Sequence, residues 1–359
     1  MNREDLILIW FNYHNYSFSK VEEIFEKFDT IDDMFDVSKV KAVFATDPKS
    51  NFLREYLATN FDEFERNVEK ALSNYDIKFV TYLSPDYPNS LQDIAEPPVV
   101  LYYKGDISIL ANNTISIVGT RKPTTYGRII CEKFTKELAS EGIVTISGLA
   151  YGLDTVVAES TLSVGGKTVA VLAGGLDIIY PSQNTGLSKR IVDNGGLLIT
   201  EYRPKLRPQG YYFVSRNRIV SALGLGLLIV EAGKSSGTMT TAKHAIDQGK
   251  ELFVIPGNIN SEQSEGTNSL IDQFPEVFTI SPSRILMKLK IKKTSVQKTT
   301  AQIDMTESKI LSELSSEGMD FDKLCDVTGI SPAVLSSKLI KMEMFGIVKK
   351  GDGNIYYKM

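Results

Sequence analysis

The segment T-I-S-I-V-G-T-R-K-P-T-T-Y-G, from Thr114 to Gly127, determines the expected fold. Its apolar part, Ile115 to Val118, is short and rich in β-branched residues, typical of a strand buried on both faces. The run breaks at Gly119, and an apolar stripe of helical period follows. A buried strand, a glycine turn and a helix form the first half of a βα unit, so we expect a ligand-binding α/β sheet. The turn also carries Arg121 and Lys122, where free backbone N–H groups can face an anion.

The same alternation of strand and helix recurs through the middle of the chain. Apolar strands are predicted at residues 114–118, 143–147, 168–172, 196–200, 226–230 and 252–255. Each strand ends in glycine, in a carboxylate, or in both. In a parallel sheet these exits share the carboxyl edge, where open α/β sheets bind their ligands. So many glycine exits indicate a backbone that approaches a ligand closely.

Residues at four of these exits are candidate ligand contacts. Glycine after the first three strands permits close approach to a ligand. The loop E-A-G-K-S-S-G-T, residues 231–238, precedes a helix and resembles an anion-binding helix N-terminus, although the P-loop spacing is absent. The candidates at these exits, besides the two cations of the first turn, are Gly119, Gly148, Gly152, Gly174, Gly175, Ser236, Gly237 and Thr238.

A segment rich in cations and aromatic residues, E-Y-R-P-K-L-R-P-Q-G-Y-Y-F-V-S-R-N-R, spans residues 201–218. Cations that follow phosphates, beside aromatic rings that stack on bases, are what single-stranded nucleic acid requires. The candidate contacts are Tyr211, Tyr212 or Phe213 for a base and Arg216 and Arg218 for phosphates. In the alternative interpretation Phe213 and one tyrosine belong to the core, and the arginines pair with Glu201 and Glu231.

Composition limits the class of protein. Apolar residues make up 42% and charged residues 23% of the chain, as in ordinary soluble proteins. No apolar run approaches the ~18 residues that span a bilayer, and Met1 begins no signal-peptide pattern, so we expect a cytoplasmic protein without a membrane partner. Cys131 and Cys325 are too few for a disulfide framework, and His14 and His244 are the only histidines. We therefore predict no metal, no cofactor and no catalytic residue.

Charge and pattern divide the chain into four parts. Residues 1–75 are predicted to form a helical bundle, 76–282 an extended Rossmann-like core, 283–303 a basic linker and 304–359 a winged helix. Residues 1–111 hold 11 basic and 20 acidic residues. Their net charge of −9 disfavours the binding of a polyanion by this part of the chain. The winged helix has a net charge of −2, so a protein-contact or structural role is favoured over the reading of duplex DNA.

A series of motifs carries a family resemblance. S-I-V-G-T-R, S-G-L-A-x-G-L-D, G-G-L-D-x-x-Y-P, F-x-x-R-N-R-I-V, V-x-E-A, S-G-T-x-x-T-A, P-G-N and G-T-N-x-L-I occur in this order. Together they resemble the bacterial DNA-processing protein A family (DprA, also called Smf). The helical, SAM-like bundle and the winged helix match accessory domains that many members carry. By position, the resemblance assigns DNA contacts to Arg121 and to the R-N-R residues Arg216, Asn217 and Arg218.

The resemblance also implies a function and partners. It implies a non-enzymatic protein that binds and protects single-stranded DNA and helps to load RecA recombinase during natural transformation. It further implies a homodimer, with single-strand-binding protein as another candidate partner.

An enzyme is the alternative. Related Rossmann-like folds hydrolyse nucleotide N-glycosidic bonds with a carboxylate such as Glu231, beside a P-G-G-x-G-T-x-x-E loop. The corresponding exit here reads A-G-K-S-S-G-T-M-T-T, so Thr241 replaces the glutamate of that loop. A nucleotide sensor without turnover is a third interpretation, which tight mononucleotide binding would reveal.

Overall fold

The computed structural model of the 359-residue chain describes residues 1–291, 304–314, 318–344 and 347–358. The chain divides into two compact units, residues 1–293 and residues 294–359. Across these described ranges, no helix combines the length and apolar character needed to cross a membrane.

An eight-stranded sheet organises the first unit. Its strands are β1 (Lys78–Thr81), β2 (Val100–Gly105), β3 (Thr114–Val118), β4 (Val144–Ser147), β5 (Thr168–Val171), β6 (Leu197–Thr200), β7 (Gly226–Ile229) and β8 (Glu251–Val254). Their spatial order is β1-β2-β6-β5-β4-β3-β7-β8, and the six strands from β3 to β8 are parallel. This confirms the Rossmann-like, mostly parallel sheet, with strand bounds within about one residue of those predicted.

The two remaining strands extend the sheet on one side. Strand β2 pairs antiparallel with both β1 and β6. Strand β1 forms the edge of the sheet, where Lys78 to Thr81 pair with Tyr103 to Val100 of β2.

Helices cover both faces of the sheet. They are α6 (Asn89–Gln92), α7 (Thr125–Ser140), α8 (Leu153–Ser163), α9 (Thr185–Asp193), α10 (Gly210–Leu223), α11 (Gly237–Asp247) and α12 (Glu265–Gln273). Alternate strand residues face opposite sides. Thus Leu227 packs in the cluster of α10 and α11, whereas its neighbour Leu228 packs in the cluster of α7 and α8.

Five N-terminal helices form the predicted bundle. They are α1 (Arg3–Tyr13), α2 (Phe18–Phe25), α3 (Val37–Val43), α4 (Asn51–Ala58) and α5 (Phe61–Asn74). The fully buried Trp10 lies at their centre and donates to Thr59 Oγ1 at 2.9 Å. The bundle shares one hydrophobic cluster with β2, β5, α8 and α9, and Asn12 accepts a hydrogen bond from Tyr102 Oη at 3.0 Å. It therefore packs directly on the sheet.

The first part of the predicted basic linker is a packed helix. Helix α13 (Pro282–Lys288) buries Ile285 and Leu286 in the cluster of α7 and α8. The sequence signal was the apolar pair inside a basic run. Residues 292–303 of the predicted linker lie outside the described residues.

The second unit contains the predicted winged helix. Its elements are α14 (Met305–Glu313), β9 (Met319–Asp320), α15 (Phe321–Thr328), α16 (Pro332–Met344), β10 (Val348–Lys350) and β11 (Ile355–Lys358). Gly329 ends α15 at a φ of 62°, a conformation that favours glycine. Leu335, Leu339 and Met342 of α16 are buried, and β10 pairs with β11 as a hairpin.

Candidate nucleic-acid interface

A cleft with a volume of about 480 Å³ lies at the carboxyl edge of the sheet. The exits of β3 and β4, the helix α10 and the first residues of α11 form its walls. Most of the predicted contacts line it, namely Gly119, Arg121, Lys122, Gly148, Phe213, Arg216, Asn217, Ser236, Gly237 and Thr238. These contacts, from Gly119 to Thr238, are far apart in sequence but converge at the edge where ligands of open α/β sheets bind.

The turn after β3 is held in place from below. Thr120 donates its backbone N–H to the carbonyl of Glu231 at 2.8 Å and its hydroxyl to Gln263 Oε1 at 2.7 Å. Its hydroxyl oxygen also accepts from the N–H of Lys122 at 3.2 Å. These bonds leave Arg121 and Lys122 exposed at the cleft. The turn therefore presents two cations on a fixed backbone.

Arg121 lies over an aromatic ring. Its guanidinium carbon is 5.0 Å from the ring centre of Phe213 on α10, within the range of a cation–π contact. Phe213 in turn packs against a small buried cluster that contains Tyr202 and Tyr212. The exposed guanidinium is therefore positioned by a ring that is itself anchored.

Arg216 lies at the floor of the cleft and is only 3% exposed. Its Nη1 donates to the carbonyl of Gly148 at 2.8 Å and to the carbonyl of Val171, which ties the exits of β4 and β5 together. Asp154 lies beside it and accepts from the N–H groups of Gly148 and Ala150, each at 3.2 Å. Burial lowers the pKa of Arg216 and raises the pKa of Asp154, and each charge opposes the shift of the other.

Arg218 does not line the cleft. Its guanidinium binds Glu201 through two hydrogen bonds, of 2.6 and 2.7 Å, and Nε donates to the carbonyl of Glu96 at 2.9 Å. The alternative pairing with Glu201 is thus present. A phosphate contact by Arg218 stays a prediction, but this geometry gives its side chain a structural role.

The glycines after β5 also lie away from the cleft. A Cβ on Gly174 would lie 2.8 Å from Pro208 Cγ, and one on Gly175 would lie 2.8 Å from the carbonyl oxygen of Arg203. The N–H of Gly175 donates to the carbonyl of Leu206 at 2.9 Å. These glycines therefore allow the close packing of the loop that leads to α10, and a ligand contact by either of them stays a prediction.

Other glycines near the cleft divide into two kinds. Gly152 has a φ of 79°, and a Cβ there would lie 2.5 Å from the carbonyl oxygen of Thr120. A Cβ on Gly119 would lie 2.3 Å from a methyl carbon of Leu153. A Cβ on Gly237, in contrast, would meet nothing within 4 Å. The first two glycines thus shape the walls, whereas Gly237 leaves open space where α11 begins.

Glu231, the carboxylate of the hydrolase alternative, is 2% exposed. Its oxygens accept from the N–H of Thr124 at 2.9 Å and from the hydroxyl of Thr124 at 2.6 Å, where α7 begins. Thr241 lines the cleft, and its hydroxyl donates to the carbonyl of Gly237 at 3.4 Å. Glu231 therefore stabilises a helix start. This geometry weighs against carboxylate catalysis in the cleft.

Metal-ligating side chains do not gather here. Within the described ranges, histidine, cysteine, aspartate and glutamate form no group of three that could hold a metal ion. The two cysteine thiols are free, and burial raises the pKa of Cys131 to about 12, so that its thiol stays protonated near neutral pH.

The winged helix uses its own cations internally. Lys338 on α16 pairs with Asp304 and, at 3.3 Å, with Glu307. Lys341 on the same helix pairs with Glu307 at 2.9 Å. Because α14 neutralises these two lysines, the helix that would enter a DNA groove presents little free positive charge there. A protein-contact or structural role for this unit stays a prediction.

We expect Glu307→Gln to destabilise the winged helix at pH 7 and to flatten its stability against pH. The hydrogen bond from Lys341 lowers the pKa of Glu307. A carboxyl pKa that is lower in the folded chain than in the unfolded chain stabilises the fold at pH values above the unfolded pKa. This stability is lost as the pH falls through the lowered pKa. Thermal unfolding of the wild type and of Glu307→Gln, at pH 7 and at about pH 3, measures this pH dependence, with Glu313→Gln as the control. Equal pH dependence in the wild type and Glu307→Gln would contradict the role of this pair.

Comparisons with known proteins identify the family. The family model described as DNA recombination-mediator protein A matches residues 78–290, and the DprA winged helix domain matches residues 296–354. The chain is 36% identical over 221 residues to the DNA processing protein DprA of Bacillus subtilis, covering 60% of this chain and 74% of that protein. It is 31% identical over 320 residues to Protein Smf of Synechocystis, covering 78% and 80% respectively.

Solved structures agree with the sequence relatives. DNA processing protein A of Streptococcus pneumoniae superposes with a TM-score of 0.62 at 28% identity, over 75% of this chain and 96% of that chain. DNA processing protein A of Helicobacter pylori, described with a single-stranded DNA binding mode, superposes with a TM-score of 0.55 at 32% identity, over 61% and 97%. With a family model that spans most of the first unit and a relative that covers most of the chain, this protein belongs to the DNA recombination-mediator protein A family, DprA/Smf.

Proposed function

We propose that this chain is a non-enzymatic recombination mediator that binds and protects single-stranded DNA in the cleft at the carboxyl edge. The observation that carries the proposal is the pair of exposed cations, Arg121 and Lys122, beside the anchored ring of Phe213. Support also comes from the Helicobacter pylori relative, which is described as binding single-stranded DNA.

Each part of the cleft has a role in this proposal. Arg121 binds a phosphate through its planar fork, and Lys122 binds a second phosphate as a point charge. The first turn of α11, at Gly237 and Thr238, adds backbone N–H groups and the positive end of a helix dipole. Phe213 offers the ring surface that Arg121 leaves uncovered to a base.

Arg216 acts from beneath the proposed phosphate contacts. Its Nε is buried and has no hydrogen-bond partner within the part of the chain that the structure describes, although the side chain lines the cleft. A phosphate oxygen that reaches the floor would satisfy this donor. Before DNA binds, its main contribution is to hold the exits of β4 and β5.

We expect Arg121→Ala to weaken binding of single-stranded DNA and to make its salt dependence less steep. Loss of one phosphate contact reduces the slope of log K against log[salt] by about 0.7 for single strands. The measurement is fluorescence anisotropy of a labelled single-stranded oligonucleotide across a salt series. Arg128→Ala is the matched control, because Arg128 is exposed on α7 but does not line the cleft.

An unchanged affinity and slope in Arg121→Ala would show that the proposed surface is wrong. Equal losses in Arg121→Ala and Arg128→Ala would indicate a general charge effect in place of a site. A duplex and a mononucleotide in the same assay test the other interpretations, since tight mononucleotide binding with little salt dependence would favour a nucleotide sensor.

We further propose that the bound strand is handed to RecA recombinase during natural transformation. Membership of a family described as recombination mediators supports this step. The assay is RecA filament formation on DNA coated with single-strand-binding protein, the other candidate partner. The full chain should accelerate it, and Arg121→Ala should not. If the wild type and Arg121→Ala both accelerated filament formation, RecA loading would not depend on the cleft.

The proposal includes a homodimer that acts in the cytoplasm. The core carries strongly exposed apolar side chains at Ile259, Ile280 and Met287, which a subunit contact would cover. Sedimentation of the wild type and of Ile280→Asp tests this surface. If the wild type and Ile280→Asp were both monomeric, the dimer would be contradicted. If both were dimeric, the subunit contact would not include Ile280.

A further inference from the structure

An exposed row of aromatic rings continues from the wall of the cleft. Phe213 lies at one end, and its ring centre is 5.5 Å from that of Tyr180, at an interplanar angle of 67°. Tyr180 is 6.2 Å from Tyr151, at an angle of 77°. Tyr180 is 46% exposed and Tyr151 is 40% exposed. Large aromatic side chains at this level of exposure are unusual when they touch one another.

The row is fixed to the protein at both ends. Phe213 packs on the buried cluster of Tyr202 and Tyr212. The hydroxyl of Tyr151 donates to Gln183 Oε1 at 2.8 Å. Rings held in this way lose little conformational freedom when a ligand binds, which favours affinity.

The place of the row in the fold connects it to the phosphate contacts. Tyr151 follows Gly148 and Ala150, which line the cleft at the exit of β4. Tyr180 belongs to the loop after β5, the next strand in the sheet. The row therefore joins Arg121 and Phe213 to the loops that follow β5 and β4, two neighbouring strands of the carboxyl edge. Its edge-to-face contacts leave ring surface of both tyrosines open to solvent.

We propose that Tyr180 and Tyr151 form a base-stacking track for single-stranded DNA whose phosphates occupy the cleft. This inference rests on the proposed function of the same cleft and assigns the bases to a second set of residues. Every base has a π-face, so a track of this kind binds strands of any sequence. The bases of a duplex are already stacked, so the track also explains a preference for single strands.

The track makes a prediction that differs from that for a phosphate contact. Loss of one stacked base should weaken binding by about 5- to 100-fold. Stacking releases no counterions, so the slope of log K against log[salt] should stay at the wild-type value. Loss of Arg121, in contrast, changes that slope.

The test uses the full chain and two labelled strands of equal length, an oligothymidylate and an abasic strand with the same number of phosphates. Tyr180→Ala should bind the oligothymidylate more weakly, with an unchanged salt slope, and should bind the abasic strand as the wild type does. Tyr180→Phe keeps the ring and should restore the affinity. Tyr126→Ala is the matched control, because Tyr126 has the same 46% exposure as Tyr180 but lies on α7, outside the row and the cleft. Tyr211→Ala tests the other exposed candidate for a base contact on α10, which is 60% exposed.

Three results would overturn the track. Wild-type affinity in Tyr180→Ala would remove Tyr180 from the site. An equal loss on both strands would show that the ring only supports Phe213 and Arg121. A larger loss in Tyr211→Ala than in Tyr180→Ala would place stacking on the other side of α10. If the wild type bound no single strand, the proposed function itself would fail, so the two failures are distinguishable.

Discussion

Replacing Arg216 with alanine should lower the free energy of unfolding by about 3–5 kcal/mol, because it removes one member of a buried charge pair. The substitution leaves Asp154 buried without its opposing cation. It also removes the donor to the carbonyls of Gly148 and Val171, at the exits of two neighbouring strands. Buried carbonyls that lose a partner add to the cost.

The measurement is urea unfolding followed by the fluorescence of Trp10, the only tryptophan of the chain. Trp10 reports on the first unit, because the bundle shares a hydrophobic cluster with the sheet. Arg190→Ala is the control, since Arg190 pairs with Glu159 at the surface and both side chains are about half exposed. Exposed pairs contribute roughly 0–1 kcal/mol. Similar unfolding midpoints for the two variants would refute a structural role for Arg216.

Gly152→Ala should both destabilise the chain and weaken DNA binding as much as Arg121→Ala does. Gly152 has a φ of 79°, and a Cβ there would lie 2.5 Å from the carbonyl oxygen of Thr120 and 2.6 Å from the carbonyl carbon of Arg121. The backbone under both cations must therefore move. We expect a loss of about 2–4 kcal/mol in the free energy of unfolding, from strain together with the clash.

Gly165→Ala separates the effect of backbone strain from the effect of the steric clash. Gly165 has a similar φ of 71°, but a Cβ there would meet nothing within 4 Å. This variant should cost only the backbone term, about 1–2 kcal/mol, with wild-type affinity for single-stranded DNA. Urea unfolding and anisotropy on both variants provide the comparison. Wild-type DNA affinity in Gly152→Ala would show that the turn after β3 tolerates displacement, contrary to its proposed role.

The position of the cleft could be predicted from the sequence because it depends on local patterns. Short apolar runs such as Leu227 to Val230 define buried strands, and alternation with helices makes the strands parallel. Parallel strands end at one edge, so residues as distant as Arg121 and Thr238 could be placed together without a structure. At these positions, tertiary packing did not change the placement that the strand pattern predicts.

The separate roles of the arginines could not be predicted. Arg121, Arg216 and Arg218 have the same side chain, and only distant partners decide which of them is free. Arg216 donates hydrogen bonds to carbonyls at strand exits 45 and 68 residues away in sequence, and Arg218 binds Glu201. The sequence suggested Glu201 as a carboxylate partner for the arginines, but not which arginine it would bind or which carbonyls Arg216 would meet.

The glycines show the same limit. Gly174 and Gly237 both follow apolar strands, yet one packs against Pro208 and the other faces open space. The sequence also gave no sign that Gln263 supports the turn after β3, because this contact joins two loops more than 140 residues apart. Tyr180 was visible in its motif, but its exposure beside Phe213 is a property of the folded edge.

The packing of the N-terminal bundle sets the smallest fragment of this protein that can be usefully produced. A shortened chain beginning near residue 76 would uncover Val100, Tyr102 and Leu172, which are now fully or almost fully buried. Such a fragment would expose an apolar face on the sheet and would be prone to self-association. Mapping of DNA or RecA contacts by deletion would therefore confuse a lost partner site with a damaged scaffold. Surface point substitutions avoid this artefact and are the better tool for dissecting this family member.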